Sequence, residues 1–386
     1  MKNRLYLTGA QVVLVNETLK SAAVLIENGV IVAINPASSG GAQEIDLTGH
    51  ILMPGMIDLH CDALEKEAEP RPGVHFPFDF ACAQADKRNT AAGITTVYHA
   101  LSFANAELGV RNNNTAAALA RAVHSWQEHA LVDNRVHARY EITDPTAPAV
   151  LHELLENNEI HLMSFMDHTP GQGQFKDTDA YRNYLARIYK KLPAEIDALL
   201  ADKLAQGDGA FARMQELAKV ACQLSIPLAS HDDDRPEKIS IVTDLGVAIS
   251  EFPINLETAQ AARAAGLSTL FGAPNILRGK SQSGSMRALD AIIEGVADCL
   301  CGDYSPAALL PAIMQLPEIA DIQLHQAVAL VSANPARAAG LNDRGTIAVG
   351  KRADMIAVRN LGGLAQAARV WSEGIAVMTL AFDHGA

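Results

Sequence analysis

The sequence contains few cysteines. There are five in 386 residues, at Cys61, Cys82, Cys222, Cys299 and Cys301, an odd number too sparse for a disulfide framework in a chain of this length. This scarcity excludes a small disulfide-stapled scaffold and favours a reducing compartment, so we expect a cytoplasmic protein. Cys299 and Cys301 fall on one face of a predicted strand, where we expect them to pack in the core.

Long hydrophobic runs are also missing. No stretch of about 18 consecutive apolar residues occurs, so we expect no transmembrane helix. The first residues, Met-Lys-Asn-Arg and a run interrupted by Thr8, Gly9 and Gln11, lack the apolar segment and the small-residue cleavage site of an export signal. We therefore expect neither export nor a membrane partner.

Basic residues are outnumbered by acidic ones. The 31 Lys and Arg residues stand against 44 Asp and Glu residues, a net charge of −13. Nucleic-acid grooves and anionic membranes select clustered Lys and Arg, so we expect neither as the main partner. A small anionic substrate is compatible with this charge, because metal ions and a few local basic groups can hold it.

Both ends of the chain are predicted to form β-structure. Turn dipeptides such as Asn28-Gly29 separate short strand-like segments near the start, a pattern typical of hairpins. Similar segments return at the far end, so we expect the two ends to meet in one small β-sandwich domain. The strand-like segments are 5–15, 22–34 and 44–53 near the start, and 345–358 and 368–380 near the end.

The middle of the chain alternates short apolar runs with Ala- and Leu-rich stretches of helical periodicity. Eight such repeats predict an α/β fold, a (β/α)8 TIM-type barrel that places its chemistry at the carboxyl ends of the strands. We expect the barrel to span 55–343, with the small domain formed by 1–54 and 344–386. The eight predicted strands are 55–60, 94–101, 136–142, 160–167, 226–231, 247–252, 268–273 and 299–303.

One crossover is longer than a single helix needs. It covers 177–225 and contains the break Gln206-Gly207-Asp208-Gly209. We expect an inserted helical pair or a lid there.

Several predicted strands end in residues that can bind a metal ion. Positions two apart in a strand face the same side, so His60 and Asp62 can both address one ion from the first strand. Imidazole and carboxylate together suit Zn, Mn or Fe. The candidate metal ligands are His60, Asp62, Glu141, His168, His231 and Asp303.

Other roles are open for each of these residues taken singly. A histidine can cap a loop or satisfy a backbone carbonyl. Glu141 follows Arg139 at same-face spacing, which also fits a buried ion pair. Asp303 lies just after the last strand, where it could cap a helix. The recurrence of such residues at several strand ends favours a metal site.

Basic residues lie in the predicted loops of the same barrel face. Arg278 and Lys280 fall in a Gly- and Ser-rich loop after the seventh strand, a position that often binds phosphate in such barrels. Surface charges on a flexible loop are the alternative. The sequence contains no G-x-x-x-x-G-K-[ST], which excludes a P-loop. The candidate substrate-binding residues are Lys66, Arg71, Arg278 and Lys280.

Several motifs resemble the amidohydrolase superfamily. They include Met53-Pro-Gly-Met-Ile-Asp-Leu-His60 and Gly350-Lys-Arg-Ala-Asp354. Within the superfamily, Ser164-Phe-Met-Asp-His168-Thr-Pro-Gly-Gln-Gly-Gln-Phe175 and Gly272-Ala-Pro-Asn-Ile-Leu-Arg278-Gly are similar to the PhnM-type enzymes. The resemblance runs over nearly the whole chain.

The resemblance implies a metal-dependent hydrolase with a barrel and a small β domain. Enzymes of this type release pyrophosphate from α-D-ribose 1-methylphosphonate 5-triphosphate in phosphonate catabolism. Two divalent ions are implied, one held by His60 and Asp62 and the other by His168 and His231. Glu141 would bridge the ions. Asp303 would ligate and act as the catalytic proton acceptor.

Some positions depart from the pattern of these enzymes. They are Cys61 and Ala63 beside the first ligands, His99 on the second barrel strand, and Gln282 in the loop after the seventh. These departures leave open a paralogue that acts on a cyclic amide or on another phosphorylated small molecule. A homo-oligomer is also open.

Overall fold

A computed structural model describes residues 4–104, 111–167, 194–197, 209–281 and 285–381. Eight parallel strands lie side by side in chain order. A parallel bridge between Cys61 and Asp303 links the first strand to the last, so the sheet is nearly closed. The predicted barrel is confirmed, and each predicted strand is found. The strands are β6 (Met56–Cys61), β7 (Ile94–Phe103), β8 (Asp133–Glu141), β9 (Leu162–Met166), β10 (Leu228–His231), β11 (Ile249–Glu251), β12 (Ser268–Gly272) and β13 (Cys299–Cys301).

Helices connect the barrel strands and cover their outer face. Strands covered in this way are buried on both faces and read as continuous apolar runs, as in β7, where all ten residues are buried. None of the helices in the described part of the chain is long and apolar enough to cross a membrane. The helices are α1 (Ala63–Ala68), α2 (Phe78–Ala92), α3 (Asn113–Trp126), α4 (Ala147–Glu156), α5 (Ala210–Gln223), α6 (Pro236–Asp244), α7 (Leu256–Ala264), α8 (Ala273–Arg278), α9 (Ala288–Ile293), α10 (Leu309–Ile319), α11 (Leu324–Ala329) and α12 (Ala333–Ala338).

The interior of the barrel is a packed core. Ile57, Leu59 and Tyr98 belong to it, and Cys299 and Cys301 are buried there as predicted. A filled interior leaves the ends of the strands as the place where polar side chains can gather.

The two ends of the chain meet in one connected sheet. Antiparallel pairing of β5 (Ile51–Pro54) with β14 (Met355–Leu361) joins the amino-terminal strands to the carboxyl-terminal ones. Ile31 of β3 exchanges main-chain hydrogen bonds with 350–351, so the sheet folds back on itself around its own core. The predicted strand over 345–358 begins only at Met355, because 345–354 forms turns. The strands are β1 (Arg4–Val13), β2 (Thr18–Glu27), β3 (Val30–Ile34), β4 (Gln43–Asp46), β5 (Ile51–Pro54), β14 (Met355–Leu361), β15 (Leu364–Ser372) and β16 (Ile375–Thr379).

The β2–β3 hairpin follows from its turn residues. Asn28 and Gly29 have φ of 51° and 82°, the left-handed pair that suits the twist of a two-residue hairpin. The boundary at 343 stays a prediction, as does the inserted pair or lid over 177–225. Within that segment the structure describes a helical turn at 194–197 and the stretch 209–225 that contains α5, while 177–193 and 198–208 lie outside the described residues.

Candidate metal centre and its surroundings

The first barrel strand delivers His60 and Asp62 to one place. His60 Nε2 lies 3.3 Å from Asp62 Oδ1, and the His60 side chain is buried. Donor atoms that share one zinc at 2.0–2.2 Å in a tetrahedral arrangement lie roughly 3.4 Å apart. The spacing of the two side chains therefore fits joint ligation of one ion.

The last strand brings Asp303 to the same place. The Asp303 N–H donates to the His60 carbonyl at 2.9 Å, and the Asp62 N–H donates to the Asp303 carbonyl at 2.9 Å. We call this junction between the ends of β6 and β13 the seam. Asp58 stabilises it, because its Oδ1 accepts hydrogen bonds from the N–H groups of His60 and Gly302. His60, Asp62 and Asp303 offer ligand atoms that all lie within 4.8 Å of one another.

A second group of ligand atoms lies on the other side of His60. His231, the last residue of β10, joins His60 and Glu251 in a buried cluster whose ligand atoms lie within 4.8 Å of one another. Glu251 was not predicted as a site residue. The available signal was its position as the last residue of β11, the same position that His231 has in β10.

Glu141 and Arg139 follow one another on the interior face of β8. Glu141 is buried, and its Oε1 accepts a hydrogen bond from Thr143 Oγ1 at 2.9 Å. Arg139 Nη1 donates to Asp62 Oδ1 at 2.9 Å, so this guanidinium supports a candidate ligand. The role of Glu141 as a bridge stays a prediction, and His168 lies outside the described residues.

Burial and like charges perturb the carboxyl groups at this end of the barrel. Burial raises the pKa of Asp58 to about 7 and also raises the pKa of Glu65. Burial, with Asp62 beside it, raises the pKa of Asp303. Burial also acts to raise the pKa of Asp62, but Arg139 and His60 hold it well below its usual range. The site therefore favours added positive charge.

The site's electrostatics and donor set fit a divalent metal ion. Burial acts to lower the pKa of His60, but the Glu251 and Asp62 carboxylates raise it to about 10. A proton held so tightly marks a position where a cation is stabilised. Imidazole nitrogens and carboxylate oxygens are ligands that zinc, manganese and iron accept.

The predicted substrate-binding residues are all exposed and lie in loops or at helix ends. Arg278 Nη1 donates to the Tyr304 hydroxyl at 3.2 Å, which ties it to the residue after Asp303. A further cation was missed: Arg111 pairs with Glu65 at 2.8 Å and approaches Asp62 at 3.5 Å. Nothing in its local sequence indicated this. The exposed candidates are Lys66, Arg71, Arg278 and Lys280.

Cys61 and His99 make their polar contacts with residues other than the candidate metal ligands. The two residues are paired neighbours on β6 and β7, and both turn toward the polar side chains behind the strands. His99 Nε2 lies 2.8 Å from Asn134 Oδ1, and Cys61 Sγ lies 3.8 Å from Asn89 Oδ1. The effect of these two residues on substrate choice stays a prediction.

Ala63, the third departure, is buried in a hydrophobic cluster with Cys61 and Val97. Gln282 lies outside the described residues.

Solved structures share this fold. N-acetylglucosamine-6-phosphate deacetylase from Pasteurella multocida superposes with a TM-score of 0.65 at 12% identity, covering 96% of this chain and 98% of that one. Dihydropyrimidinase from Brevibacillus agri NCHU1002 gives 0.58 at 15% identity, covering 97% and 95%. At these identities the likeness concerns the fold alone.

Comparison of the sequence with known proteins shows the family as well as the fold. The Amidohydrolase family profile matches residues 212–379. The alpha-D-ribose 1-methylphosphonate 5-triphosphate diphosphatase of Escherichia coli (strain K12) is 34% identical over 376 residues, 95% of this chain and 98% of the relative. The chain therefore belongs to the amidohydrolase superfamily, as a metal-dependent hydrolase in the family of that diphosphatase.

Proposed function

We propose that this enzyme hydrolyses α-D-ribose 1-methylphosphonate 5-triphosphate and releases pyrophosphate. The proposal rests mainly on one observation, that His60, Asp62 and Asp303 come together at the carboxyl ends of the barrel strands, here called the barrel mouth. The full-length relationship to the diphosphatase of Escherichia coli supports the choice of substrate. The reaction is phosphoanhydride hydrolysis in phosphonate catabolism.

We infer that the enzyme uses two divalent ions, of zinc, manganese or iron. His60 and Asp62 would hold one, His168 and His231 the other, with Glu141 between them and Asp303 as a further ligand. When bound, such ions polarise a phosphoryl oxygen and lower the pKa of an attacking water from about 16 toward 7. The buried imidazoles of His60 and His231 and the half-buried carboxylates of Asp62 and Asp303 support this inference.

Asp303 is the proposed proton acceptor. Its pKa is raised by burial and by Asp62, which brings its basicity closer to the working pH of a general base. The residue has φ of 51°, in the left-handed region that few residues other than glycine, asparagine and aspartate adopt. Its main-chain hydrogen bonds with His60 and Asp62 hold it there.

The basic residues around the mouth would neutralise phosphate charge. Arg278 is tied to Tyr304 beside Asp303, so its guanidinium lies near the proposed proton acceptor. Charge that spreads over phosphoryl oxygens in the transition state is stabilised most by groups already in position. Lys66, Arg71 and Lys280 would extend the same field from the loops.

Phosphorus NMR tests the function directly. Metal-free protein is loaded with Zn²⁺, because Mn²⁺ would broaden the phosphorus lines. The zinc-loaded protein is then incubated with the triphosphate. A pyrophosphate resonance at a catalytic rate is the expected result. The same sugar carrying only the 5-phosphate is the control and should give none. No pyrophosphate from protein with bound metal, together with ring opening of dihydrouracil or hydantoin, would overturn the proposal in favour of a cyclic-amide hydrolase.

A further inference from the structure

Glu251 is a buried carboxylate at the edge of the candidate metal centre, and the proposed mechanism gives it no task. Its side chain is fully buried at the end of β11. Glu251 Oε1 lies 3.4 Å from His60 Nδ1, and Oε2 lies 3.7 Å from His137 Nε2. A carboxylate placed between two imidazoles can orient one of them or bind a metal ion itself.

We propose that Glu251 is a positioning residue that accepts a hydrogen bond from His60 Nδ1–H and so directs His60 Nε2 to the metal ion. The inference deepens the proposed function, because it concerns the same metal centre. A metal-binding histidine commonly donates its other ring N–H to a carboxylate, which fixes both the tautomer and the ring orientation.

The two nitrogens of His60 face different partners. Nε2 lies 3.3 Å from Asp62 Oδ1, the spacing expected for two ligands of one ion, whereas Nδ1 faces Glu251. If Glu251 bound the ion together with Nδ1, Nε2 would be turned away from that ion and toward Asp62. The main-chain hydrogen bond between Asp62 and Asp303, which brings their carboxylates close to His60 Nε2, would then not position ligands for that ion.

His137 does not compete with His60 for the Glu251 carboxylate. His137 Nδ1 lies 3.0 Å from the Leu59 carbonyl, an acceptor only, so this nitrogen carries the proton. His137 Nε2 then accepts from the Ser164 hydroxyl at 2.8 Å. His137 therefore leaves the Glu251 carboxylate free to accept from His60.

Phe252 holds the same ring from a second direction. Its ring centroid lies 5.0 Å from that of His60 and 5.2 Å from that of His231, edge to face in both cases. Phe252 has φ of 53°, so the chain turns sharply after Glu251. Consecutive residues of one strand end thus fix His60 by a hydrogen bond and by packing.

Metal titration of variants tests the role. The probe is Zn²⁺ added to metal-free protein, with affinity measured by competition calorimetry and stoichiometry by elemental analysis. We expect Glu251→Ala to weaken the binding of the ion at His60 by about 10- to 100-fold, with the number of ions unchanged. Glu251→Gln keeps an acceptor oxygen for Nδ1–H, so it should recover most of the affinity, and it covers the case in which Glu251→Ala does not fold.

Nitrogen NMR of histidine-labelled, zinc-loaded protein gives a readout other than affinity. Wild type should show His60 with a protonated Nδ1 and zinc on Nε2. Asp298 is a buried carboxylate directly before β13, at the opposite end of the barrel, and it pairs with Arg263. Asp298→Asn is the matched control and should bind zinc as wild type does.

Two results would overturn the proposal. Loss of one equivalent of zinc in Glu251→Gln would make Glu251 a ligand. Unchanged affinity in Glu251→Ala, with only a lower melting temperature, would make the residue a packing element. These measurements need no substrate, so they stand apart from a failure to release pyrophosphate.

Discussion

The two ends of the barrel both bury charged groups, but they neutralise them differently. At the amino end, Asp133 pairs with Arg344 at 2.5 Å and Arg135 at 2.9 Å, and these cations hold the pKa of Asp133 low against the effect of burial. At the carboxyl end, Arg111 and Arg139 both engage Asp62, whereas the pKa of Asp303 is raised.

This difference in how the carboxylates are neutralised indicates which end of the barrel binds a ligand. A carboxylate that pairs with a guanidinium is already neutralised in the folded protein, and loss of the guanidinium lowers stability. Carboxylates whose pKa is raised by burial and by neighbouring carboxylates are stabilised in their charged form when a cation binds beside them. In barrels of this type the carboxyl end serves catalysis and the amino end serves stability.

Substitution of Asp303 should produce the largest effect. Asp303→Asn removes the proposed proton acceptor, and we expect kcat for pyrophosphate release to fall by about 10²- to 10⁴-fold while the circular dichroism spectrum is kept. Asp298→Asn, at the amino end, should lower stability and leave kcat within a few-fold of wild type. Comparable kcat values for the two variants would erase the distinction between the barrel ends.

Arg344→Ala tests the amino end. The Arg344 side chain is buried and donates to Asp133 and to Thr96 Oγ1, so its removal leaves the half-buried Asp133 with Arg135 as its remaining cation. We expect unfolding in urea to show a loss of about 1–3 kcal/mol, with kcat unchanged. The control is Arg287→Ala, which breaks an exposed pair with Asp290 and should not shift the midpoint. A loss of activity in Arg344→Ala at a temperature where it is folded would contradict the assignment.

Gly302→Ala tests the seam between β6 and β13. An added Cβ would lie 2.5 Å from Asp58 Oδ2 and 2.7 Å from Pro306 Cα, so the strand ends must shift. We expect a destabilisation of about 1–3 kcal/mol, measured by urea unfolding, with weaker metal binding because His60 and Asp303 meet at this seam. Gly272→Ala is the matched control, since its Cβ would meet nothing closer than 3.7 Å. Equal stability of the two variants would show that the seam is not tight.

The smallest effect is a pH dependence near the amino end of β9. The Val136 N–H donates to His161 Nδ1 at 3.2 Å, which requires the neutral ring. Burial, with Arg135 nearby, lowers the pKa of His161 to about 4. The unfolded chain therefore binds a proton first as the pH falls below about 6.5, and this contribution to stability is lost between pH 6.5 and 4.

His161→Gln should reduce that acid sensitivity. We expect the drop in unfolding free energy between pH 7 and pH 5 to shrink by about 1 kcal/mol, measured by urea unfolding at both pH values. His75→Gln, which changes an exposed histidine, is the control. An unchanged drop in His161→Gln would mean that His161 does not titrate as the structure implies.

The fold could be predicted from the sequence because its signals are local. Apolar runs bounded by helical periodicity located every barrel strand, and Asn28-Gly29 located a hairpin turn. The side of a strand on which a residue lies is less local. A register shift interrupts the pairing of β6 with β7 between Asp58 and Cys61, so the inward position of His60, directly after the core residue Leu59, could not be read by counting alternate residues.

The candidate site was only partly predictable for a related reason. His60, Asp62 and Asp303 lie at the ends of the first and last strands, and the closure of a barrel brings such residues together. The partners that support them come from other strands and loops. Glu251 reaches His60 across 191 positions, and no spacing in the sequence records such a contact.

Metal binding at the carboxyl end is the central claim, and calorimetric titration with Mn²⁺ tests it most directly. The samples are metal-free wild type, Asp62→Asn and Asp298→Asn. We predict that wild type and Asp298→Asn bind Mn²⁺ with equal affinity, and that Asp62→Asn binds it at least about tenfold more weakly or loses one equivalent. Equal binding by all three proteins, or no binding by wild type, would contradict the account.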